Sequence, residues 1–101
     1  MMARIILRRK KAFVERFRNY TIYLDGEKLG SIANGVEMDF EIPEGKHILS
    51  TKIDWNTSNA IIFEIAENQT LTFSVKGANP LYALYYTFAK PHKYLKLKLI
   101  G

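Results

Sequence analysis

Apolar and polar residues alternate with a period of two along much of this chain. The clearest stretch is residues 36–53, VEMDFEIPEGKHILSTKI. Val36, Met38, Phe40 and Ile42 are apolar, and Glu37, Asp39 and Glu41 between them are acidic. That period belongs to a strand with one dry and one wet face; a helix would scatter both sets around its circumference. Pro43-Glu44-Gly45 ends the strand, because proline fixes φ and has no N–H, and glycine accepts the positive φ of a type II turn. The return strand, residues 46–54, sets His47, Leu49, Thr51, Ile53 and Trp55 on one side, with Leu49 and Ile53 as core anchors. The expectation is a central hairpin on which the other segments pack. A slip of one residue would turn the Val36 row to water, so its register should be firm.

The flanking segments follow the same rhythm. Residues 4–7 read as a first strand. Residues 10–17 read as a short helix, with Phe13 and Phe17 one turn apart on one face. Tyr20, Ile22 and Leu24 mark a strand that turns at Asp25-Gly26 and returns over residues 28–33. Asn34-Gly35 is a two-residue turn signal. After a polar loop at residues 56–59, Ile61, Phe63 and Ile65 alternate with Ile62 and Glu64. The chain turns at Glu67-Asn68-Gln69, and Leu71, Phe73 and Val75 form the next alternating row. Residues 77–80 break the pattern, residues 81–89 are rich in aromatics and uncharged, and Leu95, Leu97 and Leu99 alternate with Lys96 and Lys98 in a last strand. About seven short strands at roughly 8–12-residue spacing predict an all-β fold, an antiparallel β-sandwich with one short N-terminal helix. No helical crossover is evident, so no parallel pairing is expected.

The turns carry a resemblance. Asp25-Gly26, Gly30, Asn34-Gly35, Phe40, Pro43-Glu44-Gly45-Lys46-His47 and Lys52-Ile53-Asp54-Trp55 together resemble small bacterial β-sandwich domains of the PEGA kind, with Lys46 where that motif has alanine. The likeness covers about residues 20–75. It implies a sandwich fold and, because the shared residues are mostly turn residues, it implies no activity.

At 101 residues the chain is expected to be one domain, residues 1–101. It has no cysteine, which removes disulfides, thiolate metal sites and thiol nucleophiles. The N-terminal apolar run, Ile5-Ile6-Leu7, is too short for a secretion signal, and no run approaches the ~20 residues of a spanning helix. The net charge of +5 is unevenly spread. Residues 1–18 hold seven Arg/Lys and one acid, residues 19–75 three Lys and nine acids, and residues 76–101 five Lys and no acid. Basic ends around an acidic middle suit a membrane surface or a polyanion.

Three groups of residues are candidates for function. Arg8, Arg9, Lys10, Lys11, Arg16, Arg18, Lys90 and Lys93 could contact an anionic surface, against the plainer reading of a solvated face. Leu81, Tyr82, Tyr85, Tyr86 and Phe88 could lie in a bilayer interface, close the core or form a dimer contact. Asp54, Trp55, Asn56 and Ser58 could form a ligand loop, against an Asx-type turn with Trp55 plugging the core. His47 and His92 are the two histidines, and neither has partners at the spacing of a metal site or a catalytic triad. Every internal glycine before Gly77 is explained by a turn rather than a phosphate loop.

These residues point to no reaction and no cofactor. The expectation is a non-catalytic binding module, cytoplasmic and peripheral to the membrane, with an anionic membrane surface or a protein as partner. A soluble module that binds protein or forms a homo-oligomer is the alternative, and a small-ligand binder or enzyme using the residue 54–58 loop is the third. Nucleic acid is disfavoured, because sheet-based binders display aromatics on a basic face and the central strand here displays acids.

Overall fold

A computed structural model describes residues 2–11, 18–53, 56–77 and 95–101. The described residues form nine strands and no helix: β1 Met2–Arg9, β2 Tyr20–Leu24, β3 Glu27–Ile32, β4 Glu37–Pro43, β5 Gly45–Ile53, β6 Asn56–Thr57, β7 Ile61–Ile65, β8 Thr70–Lys76 and β9 Lys96–Leu99. They make two sheets. The first has the order β4-β1-β8-β9; the second has the order β3-β2-β5-β6, with β7 also paired to β5. The all-β expectation holds. Of the helix expected over residues 10–17, Lys10 is not helical. Its N–H donates to the Val75 carbonyl at 3.0 Å and prolongs β1 beside β8. Residues 12–17 lie outside the described residues.

Two further expectations are corrected. Residues 36–53 do not form a hairpin. β4 pairs with β1 in the first sheet, and β5 pairs with β2, β6 and β7 in the second. Pro43-Glu44-Gly45 is therefore a corner where the chain changes sheets. Gly45 does adopt positive φ, +127°, a conformation open to glycine and not to other residues without strain. The second correction is that β1 pairs with β8 in parallel, Arg4 opposite Thr70 through Arg9 opposite Val75. A parallel pair needs a crossover, and here the strands of the second sheet supply it in place of a helix.

Inward residues of both sheets share one apolar cluster. Ile5, Leu7, Ile42, Phe73, Val75 and Leu97 come from the first sheet; Tyr20, Ile22, Ile32, Leu49, Ile53, Phe63 and Ile65 come from the second. Phe63 and Phe73 meet across the gap with ring centroids 5.1 Å apart. The inward row of β5 is as expected: His47, Leu49, Thr51 and Ile53 are all buried. In β4, only Phe40 and Ile42 reach the core, and Val36 and Met38 are each 37% exposed. β4 is the edge of its sheet, so the start of its apolar row extends past the cover that the second sheet gives.

Asp25-Gly26 joins β2 to β3 as a two-residue turn with both φ values positive, 54° and 84°, the signature of a type I′ hairpin. β6 and β7 share one edge of β5, joined at Ser58, whose N–H donates to Thr51 O while its Oγ accepts from Thr51 N. Asn59 then leaves that edge. Its side-chain amide accepts from Leu97 N and donates to Leu97 O, each at 2.9 Å, and so fastens β9 to the second sheet. Leu95 and Ser58 form a bridge at the same margin.

Phe73 is fully buried between the sheets. Phe73→Ala should lower the unfolding free energy by about 3–5 kcal/mol, seen as a lower urea midpoint. Ile62→Ala, at 68% exposure, should move it by no more than about 0.5 kcal/mol.

Candidate functional site

Alternation along four strands sorts the charges on the outer face of the first sheet into columns. β4 contributes Glu37, Asp39 and Glu41; β1 contributes Arg4, Ile6 and Arg8; β8 contributes Thr70, Thr72, Ser74 and Lys76; β9 contributes Lys96 and Lys98. The two arginines of the second column offset two of the three acids of the first. Arg4 Nη1 lies 2.8 Å from Asp39 Oδ2 and its Nη2 lies 4.0 Å from Glu41, while Arg8 Nε donates to Glu37 Oε2. These pairs are exposed and add little stability. Their effect is to offset most of the acidic edge of the sheet.

The opposite margin has no such balance. Lys76 stands directly across from Lys96, and Ser74 across from Lys98. Lys10 lies beside them, because its N–H extends the β1–β8 ladder. Lys10, Lys76, Lys96, Lys98, Asn59 and Ser74, with Leu97, line a depression of about 420 Å³, and no carboxylate lines it among the described residues. None of the four lysines is in an ion pair among the described residues.

The basic run at residues 8–11 is thus divided by the pleat. Arg8 points out and is paired with Glu37. Arg9 is only 2% exposed: its Nη1 donates to the carbonyls of Arg18 and Ile32, and its guanidinium lies 3.6 Å over the centroid of the Tyr20 ring. It ties β1 to the second sheet and is not a surface contact. Lys10 reaches the lysine margin, whereas the Lys11 side chain lies against Gly35. Arg18 is exposed, and Arg16, Lys90 and Lys93 lie outside the described residues. Lys76, Lys96 and Lys98 were not among the candidate residues. Their signal was the alternation of Lys96 and Lys98 with leucines, which puts both lysines on one face.

In the candidate ligand loop, Asn56 belongs to β6 and is 3% exposed, and Ser58 is 7% exposed and bonded to Thr51 and to the Asn59 carbonyl. Both serve the β5 edge. Asn56 Oδ1 is buried without a hydrogen-bond partner among the described residues. Asp54 and Trp55, and the aromatic candidates Leu81, Tyr82, Tyr85, Tyr86 and Phe88, lie outside the described residues.

One histidine is engaged in a way the sequence did not indicate. His47 is 8% exposed, and both ring nitrogens face acceptors: Nδ1 lies 2.6 Å from Asp25 Oδ2 and Nε2 lies 2.7 Å from the Pro43 carbonyl. Asp25 Oδ1 also accepts from Ile48 N at 2.8 Å. An imidazolium donates at both positions, and a neutral ring has only one N–H. Burial works against the charged ring, but the bonds to Asp25 and Pro43 outweigh it and raise the His47 pKa above its usual 6.5. The hydrogen bond from His47, with that from Ile48 N, holds the Asp25 carboxyl below its usual 3.8. Among the described residues no three His, Asp or Glu side chains gather as a metal site, and no helix is long and apolar enough to cross a membrane.

No family model, no curated protein and no solved structure matches the chain.

The His47 pair sets a pH dependence. The contribution of His47 is complete below its unfolded pKa, near 6.5, and is lost as pH rises through the higher folded value. That of Asp25 is complete above 3.8 and is lost as pH falls through its lowered folded value. The urea midpoint should therefore drop as pH rises above about 6.5, more steeply in the native chain than in His47→Gln. Parallel curves for the two proteins would contradict this.

Proposed function

We propose that this chain is a non-catalytic interaction module, a PEGA-like β-sandwich that rests on an anionic membrane surface, with the lysine margin of its first sheet as the contact. The observation that carries this reading is the partition of charge on that sheet. The acids of β4 pair with the arginines of β1 at the far edge, which leaves Lys10, Lys76, Lys96 and Lys98 as a one-signed group. Each lysine near an anionic bilayer contributes about 1 kcal/mol of attraction. The course of the chain supports the same face. β8 ends at Lys76 and β9 begins at Lys96, its ladder partner. The residues between them in the sequence carry Lys90, Lys93 and the aromatics of residues 81–89. The shared core of the two sheets supports the sandwich. The double engagement of the His47 ring within the fold supports a binding role over a catalytic one. A cytoplasmic, peripheral location follows from the same reading.

A second reading, a homo-oligomer or protein-binding module, is favoured by one observation. Ile48 and Ile62 are cross-strand neighbours on the outer face of the second sheet, 45% and 68% exposed, beside the edge strand β7. Exposed apolar edges of this sort invite strand addition.

Liposome co-flotation tests the first reading. The chain should float with phosphatidylcholine vesicles that contain phosphatidylglycerol and not with phosphatidylcholine alone. Binding should weaken as added salt shortens the Debye length from about 10 Å to about 3 Å. Lys76→Gln and Lys96→Gln should each reduce it about fivefold. Absence of binding to anionic vesicles at low salt would overturn the membrane reading. The second reading is tested by sedimentation: it expects a dimer that Ile62→Lys converts to monomer.

A further inference from the structure

We infer that the depression bounded by Lys10, Lys76, Lys96 and Lys98 is a binding site for a phosphate monoester, carried on a lipid headgroup or free in solution. The inference deepens the membrane reading, since it gives the lysine margin a ligand chemistry beyond bulk charge.

Three observations converge. First, the fold brings like charges together at a cost. Lys76 and Lys96 are directly opposed across the β8–β9 ladder, an arrangement in which like charges repel, and the Lys10 end of β1 is laid beside them. Among the described residues no acid lines the depression. An anion of two charges removes that repulsion more fully than an anion of one. Second, the site has shape. Its volume of about 420 Å³ falls within the range of small-ligand sites, roughly 300–1,000 Å³, and is ample for a phosphoryl group and the carbons next to it. Third, two polar side chains in its lining are held in place. Ser74 is 7% exposed and supplies a hydroxyl. Asn59 is held by its two hydrogen bonds to Leu97, and its Nδ2 has a second N–H beyond the one so used. A monoester presents three terminal oxygens and about −1.5 to −2 charges at neutral pH. A diester presents two such oxygens and one charge, a poorer match to four ammonium groups around a hydroxyl and an amide. Lysine meets phosphate as a point charge, so the site demands no planar fork.

The test uses the whole chain in two arms. In the first, backbone amide shifts are followed by NMR during titration with glycerol 3-phosphate, and with dimethyl phosphate as the diester control. Saturable shifts confined to Lys10, Asn59, residues 74–76 and residues 96–98 are expected with the monoester and not with the diester. In the second, vesicles containing phosphatidic acid are compared with vesicles containing phosphatidylglycerol at matched surface charge. Binding to phosphatidic acid should be about fivefold tighter, the worth of one further lysine contact, and the doubly substituted K96Q/K98Q chain should lose that preference. These lysines are exposed, so an unchanged urea midpoint will show that the variant is folded. Equal binding to both vesicles without localised shifts would overturn the monoester site and leave the membrane reading standing. Localised shifts with no binding to either vesicle would keep the phosphate site, assign it to a free ligand and remove the membrane. Neither shifts nor vesicle binding would overturn both.

Discussion

The imidazole of His47 is held between the Pro43 carbonyl and the Asp25 carboxylate, and three separate segments meet on that ring. Pro43 is the last residue of β4 in the first sheet, His47 lies near the start of β5 in the second, and Asp25 forms the turn between β2 and β3. The chain crosses from sheet to sheet at one residue, Glu44, between Pro43 and Gly45, so the angle at this corner fixes how the sheets face each other. Asp25 contributes in two ways. Its backbone and side chain both engage Ile48, and its other carboxylate oxygen meets the ring. The shared core and the closing contact of Phe63 with Phe73 depend on that corner being set. Arg9 reinforces it from the other end of the sheet, reaching from β1 to the Ile32 carbonyl and the Tyr20 ring.

Once the sheets are fixed, the electrostatics of the first one follow from pairing order alone. β1 lies between β4 and β8, so its arginines meet the acids on one side and a row of hydroxyls on the other. β9 then brings lysines to the far margin, next to a hydroxyl column that cannot neutralise them. A chain that is acidic through its middle thereby presents a positive edge.

Local pattern carried much of this and topology carried the rest. The inward rows of β5, β7 and β8 were legible because strict alternation puts residues such as Leu49, Phe63 and Phe73 on one side whatever the partner strand. The turn at Asp25-Gly26 was legible because two successive positive φ values suit that dipeptide. Which strands would pair was not written in the same way. The Pro43-Glu44-Gly45 break fits a hairpin and a corner equally well, since proline and glycine end a strand in either case. The parallel match of β1 with β8 left no local trace. The basic run at Arg8-Arg9-Lys10-Lys11 read as one cluster because charge is counted along the chain, whereas a pleat sends Arg8 and Arg9 to opposite faces. The site lysines come from three distant stretches, and only the ladder joins them. His47 and Asp25 are far apart in sequence, and nothing about either residue alone points to the other.

The parallel ladder also bears on how the protein comes to be folded. β1 is made early, yet the partner on one of its flanks, residues 70–75, is made only after six other strands have been laid down. Until then that flank is an unsatisfied row of amide and carbonyl groups, bordered by Ile5 and Leu7. The second sheet suffers no such delay, since β2 and β3 are adjacent in sequence and β5 follows shortly after. Contacts between distant parts of a chain are slow to form because a long loop must close before they give any return. Assembly of the second sheet first would shorten the effective loop that must close before β1 is captured between β4 and β8, and in that order the lysine margin, which needs β8 and β9 together, would be among the last parts of the molecule to form.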